Sequence, residues 1–273
     1  MKITSFNLKH DLIPLGRNTW KHRADAAAKL IRGIDPDLLG TQELTLRNLA
    51  GLHDRLPGYA WTGEGRKGGA SGETNAVFYK TDRFFLLKSR TFWLSGHPDL
   101  AGSRGWFSLY PRICTALRLR EKQTGKELLF YNTHLDHISF YARRKSLELI
   151  RSEIVTDFEK DGPCPVIVSG DFNAPLHSRA LRAFESDVPG YERLLVSSFR
   201  LFSRPGYSFG RTYHGFSDSV RPGGHPIDHI FTSRDLVLRN LSLCRDQVDL
   251  RYPSDHFPIT AELFWGPSPL RAL

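Results

Sequence analysis

The chain has 273 residues, and 38 Lys and Arg against 29 Asp and Glu give it a formal net charge of +9. A composition of 40% hydrophobic and 25% charged residues can bury a large core, which excludes a disordered tail or a fibrous repeat. The positive charge indicates either an anionic partner or an arginine-rich, solvated surface.

The first half of the chain alternates strand and helix patterns. Residues 20–34 place Ala24, Ala28 and Ile31 at helical intervals, and Asp35-Pro36 ends that pattern. The glycine-rich stretch 63–72 is predicted to be a mobile surface loop. The other elements predicted in this half are a short helix over 46–56 and strands over 2–7, 37–44, 59–62, 75–80 and 84–94.

The second half continues the alternation. Residues 112–120 and 127–135 predict a hairpin around Gln123-Thr124-Gly125, and 139–160 predict a long amphipathic helix. The apolar run 164–170 is typical of a strand buried on both faces. A helix over 178–185 and strands over 225–233, 237–245 and 257–265 follow. No repeat or linker interrupts the pattern, so we expect one α/β domain over residues 1–273 with two sheets.

The sequence also bears on location. No apolar run approaches the roughly 20 residues that cross a bilayer, so we expect no membrane span. The N-terminus enters a strand pattern directly and lacks the features of a signal peptide, which favours a cytoplasmic protein. Cys114, Cys164 and Cys244 are widely spaced in apolar segments. We expect them to be buried free thiols and not a disulfide framework or a zinc site.

Polar side chains stand where the predicted strands end. If these ends share one rim of the sheets, carboxylates, carboxamides and imidazoles meet in one pocket. Such a pocket could hydrolyse phosphoesters. That reaction needs a hard metal that prefers oxygen ligands, a base that activates water, and hydrogen-bond donors for the charge that develops at phosphorus, and these side chains can supply all three. The segments concerned are Asn7, Gln42-Glu43, Asn132-Thr133-His134-Leu135, Gly170-Asp171-Phe172-Asn173, Ile227-Asp228-His229-Ile230 and Ser254-Asp255-His256.

In this order, the six segments resemble the signature of the endonuclease/exonuclease/phosphatase superfamily, which has the DNase I-like fold. The similarity extends from residue 7 to residue 256 and is nearest to a small bacterial branch of metal-dependent hydrolases. It implies a four-layer α/β/β/α sandwich of two packed mixed sheets flanked by helices. It also implies a phosphoesterase that depends on Mg²⁺, with Mn²⁺ as a possible substitute.

The resemblance assigns roles to individual residues. Asn7 and Glu43 would hold the metal, with Asp255 as a further ligand or as a partner of the ligands. Asp171 would orient and deprotonate the attacking water, and Asn173 would donate hydrogen bonds to the phosphoryl oxygens.

Further candidates concern the substrate. His256 would contact the scissile phosphate while Asp228 fixes its tautomer, since a carboxylate in an apolar strand needs a partner. His134 would be the second phosphate-binding imidazole. Arg143 follows these motifs on the long helix and either binds substrate phosphate or is simply solvated. His214 lies in a predicted substrate-facing loop whose aromatic residues either stack on a base or a sugar or pack in the core.

The motifs identify the reaction better than the substrate. The compact chain and the bacterial branch favour a small phosphorylated metabolite such as a sugar phosphate. A nuclease acting on DNA or RNA is the alternative, because the sequence pI is near 9.6 and loops 95–111 and 202–216 contain arginines and aromatics. A catalytically silent binding protein would lack motif residues, and none is missing. No segment indicates an obligate protein partner.

Overall fold

The fold is built on two six-stranded sheets. A computed structural model describes residues 1–11, 16, 18–188, 190–191, 194–203, 208–217 and 223–266. The elements are, in chain order, β1 (Lys2–Asn7), α1 (Trp20–Ile34), β2 (Leu38–Gln42), α2 (Leu46–His53), β3 (Tyr59–Thr62), β4 (Val77–Lys80), β5 (Phe84–Trp93), β6 (Ile113–Glu121), β7 (Glu127–His134), α3 (Phe140–Asp161), β8 (Val166–Asp171), α4 (Arg179–Phe184), β9 (Val196–Ser197), α5 (Ser198–Leu201), β10 (Asp228–Thr232), β11 (Leu236–Leu243) and β12 (Ile259–Trp265).

Both sheets are mixed and contain one parallel pair near the centre. The first has the strand order β11-β12-β1-β2-β4-β3, and the second has the order β5-β6-β7-β8-β10-β9. The parallel pairs are β1 with β2 and β7 with β8, and the other pairs are antiparallel. Each parallel pair therefore brings two strand C-termini to the same edge of its sheet.

Three hydrophobic clusters separate the layers. Apolar side chains from both sheets, such as Ile3 and Phe130, form a cluster between the sheets. The apolar face of α3, including Ile150 and Ile154, packs on the outer face of the second sheet. Helices α1 and α2 cover the outer face of the first sheet, where Ile31 is fully buried. The predicted four-layer α/β/β/α sandwich is confirmed.

Asp37 stabilises the end of the first sheet that lies opposite the C-termini of β1 and β2. It comes just before β2. Its carboxylate accepts hydrogen bonds from the Lys2 backbone N–H and from Arg83, both at 2.6 Å. Burial alone would raise the pKa of Asp37, but these bonds and the nearby positive charges outweigh burial and lower it. The charged carboxylate thus joins the first strand to the strand that follows α1.

Several sequence predictions need correction. The stretch 63–72, predicted to be a mobile surface loop, is a compact loop in which backbone hydrogen bonds of 2.8–3.0 Å join Gly65 to Gly69 and Lys67 to Ser71. The short β9 and α5 were not predicted, since two and four residues show no period. All three cysteines are free thiols; two are buried as predicted, whereas Cys244 is only partly buried.

Among the described residues, no helix is long and apolar enough to cross a bilayer.

Candidate active site

Strand register brings the polar segments together. Asn7 and Gln42 are paired at the ends of β1 and β2. In the other sheet, His134 is paired with Asp171, and Asp171 is also paired with Asp228 across the antiparallel neighbour. The two sheets meet at this edge, where Asn7 Nδ2 donates to Asp171 Oδ2 at 3.1 Å. Side chains separated by more than 200 residues in sequence therefore share one site.

Glu43 is held rigidly just after β2. It has a positive φ of 72°, which turns the chain out of the strand. Oε1 accepts a hydrogen bond from Asn7 Nδ2 at 2.8 Å, and Oε2 accepts one from the His10 backbone N–H at 2.9 Å. Burial would raise the pKa of Glu43, but His134, Lys9 and these hydrogen bonds lower it to about 2. Glu43 is therefore a charged carboxylate at neutral pH.

Asp171, Asp228 and His256 form a buried triad. His256 Nδ1 lies 2.8 Å from Asp228 Oδ2, and its Nε2 lies 3.8 Å from Asp171 Oδ2. Burial would lower the pKa of His256, but the carboxylates of Asp228, Asp171 and Asp255 outweigh it and raise that pKa. Burial and the charge of Asp228 raise the pKa of Asp171. The arrangement presents an imidazolium N–H beside a carboxylate of increased basicity.

His134 completes the site from the end of β7. Its Nε2 lies 3.7 Å from Asp171 Oδ2. Burial and the positive charge of Arg112 lower the pKa of His134, so its ring is neutral and can serve as a ligand or a hydrogen-bond donor. One ligand atom each from Glu43, His134 and Asp171 lies within 4.8 Å of the other two. Two carboxylates and a neutral imidazole at this spacing suit a divalent cation.

The other predicted metal ligands have partners of their own. Asn7 directs its NH₂ group to the carboxylates, while its Oδ1 accepts a hydrogen bond from the Lys9 backbone N–H at 3.1 Å. Asp255 lies 3.4 Å from the Lys9 ammonium, which also lies 4.0 Å from Glu43. Asn7 therefore orients the carboxylates, and Lys9 supplies a cation beside Asp255.

Three predicted residues have mainly structural contacts. Asn173 lines the cavity, but its Nδ2 donates to the Leu135 carbonyl at 3.0 Å. Arg143 does not line the cavity and donates instead to the Asp136 carbonyl at 2.8 Å. His214 is also outside the cavity lining; its ring stacks on Phe257 at 4.1 Å between centroids. The neighbouring Tyr213 reaches the cavity instead.

The site opens into a cavity of about 450 Å³. The sequence analysis did not identify four basic residues that line it, because none of them is the last residue of a strand. These are Lys9, His10, Arg66 and Arg112. Arg112, for example, comes one residue before β6 and reaches the site only because β6 pairs with β7. The lining residues are Lys9, His10, Glu43, Arg66, Glu73, Tyr110, Arg112, His134, His137, Asp171, Asn173, Tyr213, Ile227, Asp255 and His256.

Known proteins share this arrangement of strands. A mannosyl-6-phosphatase from Bacteroides thetaiotaomicron is 33% identical, and the match covers 97% of this chain and 100% of that chain with a TM-score of 0.86. The catalytic domain of human Nocturnin, solved with a bound sulfate anion, is 22% identical over 97% of this chain and 93% of that chain (TM-score 0.73), which shows the shared fold.

A curated relative and a family profile extend these similarities. The CCR4-Not complex 3'-5'-exoribonuclease subunit Ccr4 of Yarrowia lipolytica is 23% identical over 93% of this chain, which spans 45% of that relative's length. Residues 4–256 match the profile of the Endonuclease/Exonuclease/phosphatase family, whose members are hydrolytic phosphoesterases and generally depend on a divalent metal. With this match over most of its length, the chain belongs to the endonuclease/exonuclease/phosphatase family of phosphoesterases.

Proposed function

We propose that residues 1–273 form one domain and that this domain is a phosphomonoesterase, which hydrolyses a small phosphorylated metabolite such as a sugar phosphate. The cavity carries this proposal: its volume of about 450 Å³ lies within the range of small-ligand sites, and Asp171, His134 and His256, which line it, are buried. The similarity to a mannosyl-6-phosphatase supports the same substrate class.

Glu43, with Asp171 and His134 beside it, is the proposed site for Mg²⁺ or Mn²⁺. Asn7 and the His10 backbone N–H hold the Glu43 carboxylate in place. When bound, such a cation neutralises non-bridging phosphoryl oxygens and so lowers the energy of the charge that builds up during hydrolysis.

The chain's own groups would perform the proton and charge steps. Asp171 accepts the proton of the attacking water through Oδ2, while its Oδ1 is fixed by the Asn173 backbone N–H at 2.9 Å. His256 directs its Nε2–H to a phosphoryl oxygen, because Asp228 occupies Nδ1. Binding at a pre-formed site avoids reorganisation as the charge develops.

A nuclease is the second candidate, and exposed aromatics favour it. Phe107 is 89% exposed and Phe140 is 76% exposed, and both lie in segments adjoining the cavity wall that includes Tyr110 and His137. Aromatic side chains at such positions can stack on bases. Part of the second predicted nucleic-acid loop, residues 204–207, lies outside the described residues.

The proposal includes a cytoplasmic location. The three cysteines of the chain are all free thiols, as is usual in a reducing compartment.

A parallel substrate screen tests the proposal. Hexose phosphates, inositol phosphates, single-stranded and duplex DNA, and RNA are compared with Mg²⁺ or Mn²⁺ and with EDTA, and Asp171→Ala serves as the inactive control. We expect the highest kcat/KM on a hexose phosphate, with no turnover in EDTA or in the variant. Cleavage of nucleic acid without monoester hydrolysis would replace this proposal with the nuclease. Absence of turnover on every substrate would favour a silent binding protein.

A further inference from the structure

Arg112 is a buried cation with unused hydrogen-bond donors. Its side chain is only 5% exposed, and within the part of the chain that the structure describes its Nε has no acceptor. Nη2 donates to His137 Nδ1 at 3.0 Å, and Asp136 Oδ2 is 3.7 Å from Nε, beyond hydrogen-bond distance. A guanidinium has five N–H donors, and burying it without acceptors is costly. Arg112 therefore lacks partners that an anion would supply.

Asp136 cannot turn to satisfy Arg112 because backbone groups hold it. Its Oδ1 accepts hydrogen bonds from the Ile138 and Ser139 N–H groups at 3.0 and 2.7 Å. Its Oδ2 accepts one from the Leu109 N–H at 3.4 Å. The carboxylate balances the charge of Arg112 at a distance but leaves its Nε–H without an acceptor among the described residues.

The cavity has a second arginine, and the two differ in their contacts. Arg66 Nη1 donates to Glu73 at 2.7 Å, and its guanidinium lies 4.8 Å from the centre of the Tyr110 ring. Arg66 Nε also lacks an acceptor among the described residues, but the Arg66 guanidinium is ion-paired through Nη1 and stacked on a ring. Arg112 has no carboxylate of the described residues within hydrogen-bond distance and lies beside His134, so it is the better anion receptor.

The backbone fixes where Arg112 stands. It comes directly before β6, and its carbonyl accepts a hydrogen bond from the Leu94 N–H at 2.7 Å. Since β6 pairs with β7, this position lies one strand away from His134. The guanidinium group of Arg112 is therefore already positioned before a ligand binds, which lowers the entropy lost on binding.

We propose that Arg112 binds two non-bridging oxygens of the scissile phosphoryl group and thereby selects dianionic phosphomonoesters over phosphodiesters. This inference rests on the proposed phosphomonoesterase function and deepens it. A monoester has three non-bridging oxygens, so the guanidinium fork takes two and leaves one that a bound cation could neutralise. A diester has only two, so the fork and a bound cation would compete for them. Planar, bidentate recognition of this kind is specific to arginine.

The test compares two substrates that share a leaving group: p-nitrophenyl phosphate and methyl p-nitrophenyl phosphate, both at saturating Mn²⁺. For Arg112→Met we expect kcat/KM to fall about 10²–10³-fold on the monoester and at most about tenfold on the diester. Arg112→Lys keeps the charge without the fork and should lie between Arg112→Met and wild type. The control is Arg144→Met, on a 61% exposed side chain of α3, which should change neither value. Equal losses on both substrates, or no loss, would overturn the inference.

A binding experiment separates this inference from the proposed function. Inorganic phosphate is titrated calorimetrically into wild type and both Arg112 variants in the presence of Mn²⁺. We expect binding to weaken at least about tenfold in Arg112→Met. Unchanged binding, or none to wild type, would overturn the inference. If wild type hydrolyses no monoester, the proposed function fails, and this titration alone decides whether Arg112 binds an anion. If Arg112→Met does not fold, Arg112→Lys decides both assays.

Discussion

Replacing Gly170 with alanine tests how closely the two parallel strands of the second sheet must approach to form the site. Gly170 pairs with Thr133, one residue before the register pair of His134 and Asp171. A Cβ at this position would lie 1.9 Å from the Thr133 carbonyl oxygen. The φ of Gly170 is also +149°, a value that residues with a side chain rarely adopt.

The structure gives the size of the effect. A carbon needs about 3.3 Å from a carbonyl oxygen, so β7 and β8 must separate by more than about 1 Å. Overpacking and backbone strain together should lower the free energy of unfolding by about 2–5 kcal/mol. The same movement displaces Asp171 from His134, and a misplacement of about 1 Å can reduce kcat about 10²-fold.

Urea unfolding and steady-state kinetics measure both effects. Gly33→Ala is the matched control, because Gly33 lies within α1 and, apart from its chain neighbours and the backbone of the same helix, no described atom would lie within 4 Å of the added carbon. It should raise the free energy of unfolding by about 0.5–1 kcal/mol and leave kcat unchanged. If Gly170→Ala has wild-type stability and kcat, the close approach of β7 and β8 does not position the site.

Three further predictions concern single side chains. Asp228→Asn should reduce kcat about 10²–10⁴-fold without changing Mn²⁺ affinity, because it removes the charged partner 2.8 Å from His256; kinetics and metal titration together check this. Lys9→Met removes the ammonium beside Asp255 and should tighten Mn²⁺ binding about threefold to tenfold, and weaker binding in a titration would contradict it. Asp37→Asn should lower the free energy of unfolding at pH 7 by about 1.5–3 kcal/mol. Because folding lowers the pKa of Asp37, its contribution is complete above the unfolded-state pKa and is lost as the pH falls. Urea unfolding should therefore show the gap between variant and wild type narrowing as the pH falls below the unfolded-state pKa, and a gap that stays constant or widens with falling pH would contradict the reasoning.

The parts of the fold that could be predicted have strong local signals. The helix predicted over 139–160 is Phe140–Asp161 in the structure, displaced by one residue because Ser139 caps it and accepts a hydrogen bond from the Ala142 N–H. The polar residues at strand ends, such as Asn7, could be found because they interrupt apolar patterns. Their convergence follows from the two parallel pairs, which no local pattern reveals.

The basic side of the cavity could not be predicted, for a physical reason. Arg112 and Arg66 lie in ordinary surface-like segments, and only strand pairing and the compact 63–72 loop bring them to the cavity. Conversely, Arg143 follows a motif in sequence but turns to a backbone carbonyl. Charge and spacing along the chain do not show which side chains face each other in the folded structure. The assigned catalytic roles remain predictions.

Turnover of the best monoester as a function of Mn²⁺ concentration, in wild type and Glu43→Gln, tests the metal-dependent site most directly. We predict no turnover without metal. The half-saturating Mn²⁺ concentration should rise at least about tenfold in the variant, with partial recovery at high Mn²⁺, because the substitution removes the charged oxygen donor that Asn7 and the His10 N–H hold in place. Turnover that persists after EDTA dialysis, or superimposable curves for the two proteins, would contradict the account.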